Sequence, residues 1–454
     1  MVQTYGVAES RDDLHDNSHE DSQGESSALL GLSSATGATT PKSDGSGTIV
    51  SSVSNLANTI IGSGMLTFPL AMASAGIIPG MISCIVCGSI AAFGLYLLSR
   101  CAAYTPNRRA SFFAVSKLTF PKAAVFFDAA IATKCFGVSI SYLIIIKTLM
   151  PNVVLSLYHD LTSPDTQPPD WAVSGRFWLS FFMVILIPLC FLRKIDSLRH
   201  TSYIALFSVA YLVLIVVSCY FKPLEGSPER GEVHLINFSS GFITTFPVQV
   251  FAFTCSQNLF PIYNELATNN QRRMNIVIGS AIGSATLTYE IVAIFGYLTF
   301  GSSVRDNIIA MYPSTSLFIA IGQLAIVILV MFSYPLQHKL VTDDDESDII
   351  DEHGPHEMSF TKHFVLTSSI IALGSTVAFF IDDLKLVLSF VGSTGSTTIS
   401  FILPGLFFWK LTRDDETVKR PLNWAALCLA IYGILIMIFC LSFNIYQIIY
   451  PTSL

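Results

Sequence analysis

The sequence predicts an all-α membrane protein of about eleven transmembrane helices, built as two five-helix repeats of inverted topology with one helix appended. Three observations carry that prediction. The 454 residues are 52% hydrophobic and only 13% charged, and a soluble fold of that make-up would lack polar surface to cover itself. Apolar runs of about 20 residues, long enough to cross a hydrocarbon core of about 30 Å, recur along the chain. Two of those runs are interrupted near their centres, at matching places in the two halves.

The runs fall at 49–75, 77–103, 122–150, 172–192, 200–221, 238–262, 275–300, 313–337, 363–381, 384–409 and 424–447. The first repeat is then 49–221, the second 238–409, and 424–447 is the eleventh helix. Residues 1–48 form a polar tail rich in Ser and Gly, read as disordered because too few apolar residues are present for a core. An acidic cytoplasmic loop occupies 338–362, inside the second repeat. Nothing outside the spans is large enough to hold an enzyme core. No metal-ligand, triad or phosphate-loop spacing stands at a membrane face, so neither catalysis nor a metal or cofactor is expected.

Charge sets the orientation. Eighteen of the 25 Lys and Arg residues lie on the tail's side of this layout, five on the other, and two inside spans. That bias puts the amino terminus in the cytoplasm, and an odd number of spans puts the carboxyl terminus on the far side. The net charge of −7 gives no reason to expect nucleic acid, since half of the 32 acidic residues sit in the tail and between Asp343 and Glu357. All nine cysteines lie in spans or at their edges, which leaves no disulfide framework to read.

The first span reads "NTIIGSGMLTFPL" over 58–70, with Gly62-Ser63-Gly64 at its centre and Pro69 beyond. The sixth reads "FPVQVFAFTCSQNLFPIYNEL" over 246–266, with Thr254-Cys255-Ser256-Gln257-Asn258 mid-membrane and Pro261 following. Non-helical backbone survives at membrane depth only where it is buried in protein or lines a cavity. Taken alone, the first break also fits a small-residue helix contact. The second break changes that, because the two lie about 194 positions apart and the centres of the second and seventh spans about 198. Each break yields half-helices whose amino-terminal ends suit a carboxylate and whose carboxyl-terminal ends suit an ammonium group or a cation. Both kinds of end at one site suit a zwitterion. The N–H groups of Ser63, Gly64 and Met65 are the expected carboxylate donors, and a side chain at 62 or 64 is expected to fill the carboxylate's place.

Ionisable residues at depth cost about 2.5–3.5 kcal/mol each, so each needs a partner or a role. Lys134 lies in the third span and Glu290 about fifteen residues into the seventh, too deep to reach water. Glu290 reads as a proton carrier, as a carboxyl hydrogen-bonded in packing, or as a partner of Lys134. Lys147 is expected to snorkel to the far interface. The hydroxyl-rich stretch 390–405 reads as close packing or a gate. Ser333 is a candidate to face a cation beside the first span, but one hydroxyl is a thin basis for sodium, so protons are favoured. Asn237-Phe238-Ser239 is a sequon, placed too near the sixth span for a glycan.

Together "NTIIGSGMLTFPLA", "KCFGVSISYLIIIKTLMP", "TCSQNLFPIYNEL", "FGYLTFG" and "SYPLQ" resemble the amino acid/auxin permease family, most closely its fungal vacuolar members, from about 48 to 446. The resemblance implies a LeuT-like fold and secondary active transport of amino acids, commonly proton-coupled at the vacuole. It implies a central site formed by Asn58, Thr59, Ile60, Ile61, Gly62, Ser63, Gly64 and Met65 with Thr254, Cys255, Ser256, Gln257 and Asn258. In sodium-using relatives the asparagine matching Asn58 is associated with the cation. Three departures stand out: Ser256 where many relatives have His, Lys147-Thr148 where relatives often have Gly-Asp, and no far-side cysteines.

Within the tail, Glu25 followed by Leu29-Leu30 matches the acidic dileucine pattern read by adaptors that sort to vacuoles and lysosomes. The expected partners are thus an amino-acid substrate, a coupling ion, the bilayer and a sorting adaptor. The expected activity is proton-coupled export of neutral amino acids from the vacuole. Alternatives are a sensing receptor using the same site, sodium coupling, or transport into the vacuole.

Overall fold

A computed structural model describes residues 45, 47–105, 110–161, 168–191, 201–237, 239–343, 360–415 and 418–450. The acidic stretch 344–359 and the motif Glu25, Leu29 and Leu30 lie outside the described residues. The first span is two helices, α1 (Ile49–Ile60) and α2 (Phe68–Ala75), bent by 48° at a break. Then come α3 (Ile77–Ala102), the short α4 (Phe112–Thr119), α5 (Ala124–Leu161), α6 (Gly175–Cys190) and α7 (Thr201–Phe221). The sixth span is again split, into α8 (Gly241–Ala252) and α9 (Leu259–Glu265). After it run α10 (Gln271–Phe300), α11 (Leu317–Asp343), α12 (Phe360–Phe380), α13 (Leu384–Val391), α14 (Leu403–Thr412) and α15 (Arg420–Ile449).

Each expected span coincides with one of these helices or with a broken set. Among the described residues six helices are long and apolar enough to cross a membrane, seven if α1 and α2 count as one. Three shorter apolar helices, at 175–190, 205–221 and 364–380, fill the fourth, fifth and ninth places. Local chemistry sets the starts. Thr48 accepts from Ser51 N at 3.2 Å, Asn270 from Arg273 N at 2.9 Å and Asp383 from Leu386 N at 2.9 Å, so α1, α10 and α13 each begin on a side-chain cap.

The tenth span departs from a plain helix. Between α13 and α14 the stretch expected as packing or a gate winds as two π-helical segments, Gly392–Ser396 and Thr398–Ile402. Wider turns of this kind recur at functional sites. Here the glycine at 392 admits α8, since a Cβ there would stand 1.9 Å from the Pro247 carbonyl oxygen.

The outer ends of the two broken spans are joined on both sides. At the start of α1, Gly47 N donates to Glu265 O and Ala267 N to Gly47 O, both at 2.9 Å. Toward the other end, Ser74 and Thr245 hydroxyls lie 2.9 Å apart, and Asn237 N donates to Ala75 O at 2.8 Å. The Asn237 side chain also donates to Ala73 O at 3.4 Å. A glycan on that nitrogen would have to break this docking.

Lys147 does not snorkel. Its ammonium donates to the carbonyls of Ala378, Phe379 and Ile381 at 2.9, 3.1 and 3.3 Å and pairs with Asp382 at 2.6 Å. It caps the carboxyl end of α12, where orphan carbonyls and the helix dipole favour a cation.

Candidate functional site

The first break begins where α1 ends at Ile60. The chain leaves the helix through Ile61 and Gly62 and re-enters by a tight turn over Ser63–Thr67. In the sixth span α8 ends at Ala252, and a turn at Ser256–Asn258 leads into α9. Carboxyl ends of α1 and α8 therefore meet, at one depth, the amino-terminal turns that open α2 and α9. Asn258 Nδ2 donates to Thr59 Oγ1 at 2.5 Å and ties the breaks together.

Gly62 and Gly64 serve different ends. A Cβ on Gly62 would meet nothing closer than the Ile60 carbonyl oxygen at 3.9 Å. On Gly64 it would lie 2.6 Å from the Ala252 Cβ and 3.0 Å from its Cα. The expectation that both glycines leave room for a carboxylate thus needs correcting at 64. That glycine lets the first break approach the end of α8.

A narrow cavity, with room for about one water molecule, lies beside the first break. One wall is Ile61, Gly62, Ser63, Met65 and Leu66. The facing wall is Ile145 of α5, Val209 of α7, and Ile326, Leu329 and Val330 of α11. Sequence reasoning missed all five, because an aliphatic residue facing a cavity and one facing lipid look alike in a one-dimensional pattern. Ser63 Oγ lies 3.4 Å from Ser141 Oγ of α5.

Thr254, Cys255, Ser256, Gln257 and Asn258 stand at the second break, none of them lining that cavity. Thr254 donates to Val250 O at 2.8 Å and accepts from Ser400 of the π-helical stretch at 3.2 Å. Gln257 is buried with both amide atoms lacking a hydrogen-bond partner. Such a group calls for a ligand or a water.

Tyr289 of α10 joins the two breaks from the side, and no sequence motif points to it. Its hydroxyl lies 2.6 Å from the Ile60 carbonyl oxygen and 3.0 Å from that of Ala252, the last residues of α1 and α8. Its ring stacks on Phe68 with centroids 4.4 Å apart and meets Phe253 edge-on at 5.2 Å.

Lys134 and Glu290 do not pair. Lys134 is buried against Gly395 of the π-helical stretch, near Cys255, and has no hydrogen bond or ion pair among the described residues. Glu290 is buried beside Cys84 of α3, and neither carboxylate oxygen accepts a full hydrogen bond. Asn58 is half-buried on the last turn of α1. The Ser333 hydroxyl bonds back to Leu329 O at 2.8 Å and does not line the cavity.

Two broken spans that meet at their breaks, inside an all-helical membrane bundle, define a transporter of the discontinuous-helix class. Solved structures agree on the fold. MhsT in complex with L-phenylalanine superposes with a TM-score of 0.52 at 12% identity, over 87% of this chain and 98% of MhsT. Inward-facing Mhp1 gives 0.56 at 14%, over 89% and 90%. The fold is LeuT-like.

Residues 45–447 match the family described as transmembrane amino acid transporter protein, and the chain belongs to that family. It is 43% identical to vacuolar amino acid transporter 5 of Schizosaccharomyces pombe, over 87% of this chain and 94% of the relative. With vacuolar amino acid transporter 6 of Saccharomyces cerevisiae the identity is 34%, over 87% and 98%.

Proposed function

We propose that this chain is a secondary active transporter of the vacuolar membrane that uses protons to export neutral amino acids to the cytosol. The observation that carries the reading is the composition of the cavity. One wall is the open backbone of the first break, and the other is five aliphatic side chains with no charge among them. Backbone ends serve the α-carboxylate and α-ammonium common to all amino acids. A hydrocarbon wall suits an uncharged side chain, because a charge placed there would lose its hydration without a partner. Residues 58–65 and 254–258 form the central site in this reading. The names of the relatives support the compartment and the substrate class.

Glu290 is the proton carrier in this proposal, since its carboxyl is buried and, among the described residues, only the Cys84 thiol stands beside it as a polar partner. The amino terminus is cytoplasmic, which puts Glu25, Leu29 and Leu30 within reach of a sorting adaptor. Proteoliposomes with an imposed pH gradient and a panel of labelled amino acids test the whole. Uncharged amino acids should accumulate and a protonophore should abolish the accumulation. Binding without net flux would make the protein a sensor instead. Accumulation that follows a sodium gradient and ignores the pH gradient would overturn the coupling.

A further inference from the structure

The carboxyl ends of two half-helices meet at one point in this fold, and something must neutralise them. Each end carries unpaired carbonyls and about half a negative charge, and in transporters with broken helices such ends coordinate a coupling cation. Several local carbonyls at these two ends have partners in the chain. Ile61 N takes Ala57 O, Phe253 N takes Gln249 O, Thr254 N takes Phe251 O and Thr254 Oγ1 takes Val250 O. The last carbonyls of the two helices, Ile60 O and Ala252 O, both converge on the hydroxyl of Tyr289.

We infer that the Tyr289 hydroxyl proton stands where a coupling cation would bind, and holds the two breaks together without a metal ion at that point. The surroundings fit a fixed plug. Phe68, Phe253 and Tyr289 are each at most 2% exposed, so no water reaches the carbonyls from the ring side. Phe68 begins α2 and Phe253 follows α8, so each broken span contributes one ring to the clamp on the tyrosine. A hydroxyl has one proton for two acceptors, at 2.6 and 3.0 Å. It can turn its O–H from one carbonyl to the other as the half-helices shift, whereas a bound cation would have to leave. Tyr289 is a positioning residue in this account. It deepens the proton-coupled transporter reading and rests on it only for its consequence in transport.

Melting of the purified full-length protein tests the inference with no transport required. Midpoints are compared in sodium, lithium, potassium and choline chloride for the parent, Tyr289→Phe and Tyr289→Ser. The parent midpoint should be the same in all four salts. Tyr289→Phe removes the donor but keeps the ring, so its midpoint should fall in every salt. Tyr289→Ser opens space beside the two carbonyls, and its lowered midpoint should recover by about 3 °C or more in sodium or lithium relative to choline. A purely structural tyrosine would lower both midpoints and leave neither responsive to salt, which overturns the inference. A sodium-specific rise in the parent overturns it as well. Should Tyr289→Phe fail to fold, the salt response of Tyr289→Ser decides alone. Flux of the parent at equal pH gradient should also be unchanged when choline replaces sodium. If no amino acid moves at all, the transporter reading fails while the melting series still decides the role of Tyr289.

Discussion

Gly62 and Gly64 are two positions apart and look interchangeable in the sequence, yet the space around them differs. Gly62→Val would project into the cavity, where nothing but the Ile60 carbonyl comes within 4 Å. That variant should fold and melt like the parent and lose nearly all transport. Gly64→Val must push against Ala252, and overpacking of this kind costs about 1–3 kcal/mol. It should lower the melting midpoint as well as the flux. Equal midpoints in the two variants would show that the close approach at 64 is dispensable. Glu290→Gln mimics a permanently protonated carboxyl without changing its shape. Exchange of labelled for unlabelled amino acid should continue in that variant, while accumulation driven by a pH gradient disappears. Gradient-driven uptake equal to the parent, per folded molecule, would remove Glu290 from the coupling.

At the scale of elements, side chains from distant helices hold helix ends that the sequence leaves open. Lys147 is 6% exposed and serves three carbonyls of the α12 terminus. Lys147→Met leaves those groups without their donor, a loss of about 1–3 kcal/mol that a melting curve in detergent would register. Asp306 holds the other side of the turn, accepting from Leu384 N at 2.9 Å. Burial raises its carboxyl above the usual aspartate value of 3.8, and the nearby charge of Asp383 adds to the effect. The folded state therefore holds that proton more tightly than the unfolded chain does. The resulting stability is fully present below the ordinary value and is lost as pH rises through the raised one. Melting midpoints of the parent should thus fall as pH rises above the ordinary aspartate value. Asp306→Asn should flatten that slope, and an unchanged slope would assign it to other groups.

Across the whole molecule, address and activity should separate. Leu29 and Leu30 lie in the tail, far in sequence from both breaks. Replacing both with Ala should move a fluorescent fusion from the vacuole towards the plasma membrane and carry the transport activity with it. A double variant that still lines the vacuole would show that another signal sets the address. The joined outer ends of the broken spans bear on the same scale. Gly47 with Glu265 and Ala267 on one side, and Ser74 with Thr245 on the other, link the first span to the sixth at both ends.

The all-helical membrane class and the position of both breaks were legible in the sequence by itself. Hydrophobic length and interrupted runs are properties of a linear string, and the bilayer imposes them one segment at a time. Gly62-Ser63-Gly64 and Thr254 to Asn258 therefore announced themselves. What the breaks face was decided by tertiary structure alone. Ile145, Val209 and Ile326 come from three helices, and nothing in their apolar neighbourhoods separates a cavity wall from a lipid-facing stripe. In the sequence Lys147 has the look of a snorkelling cation, because its acceptors, Ala378, Phe379 and Ile381, lie more than 200 residues away. Tyr289 looked like one more aromatic in an apolar helix. Its role depends on two carbonyl oxygens, and backbone groups carry no letter in a sequence; only folding brings Ile60 and Ala252 to one hydroxyl.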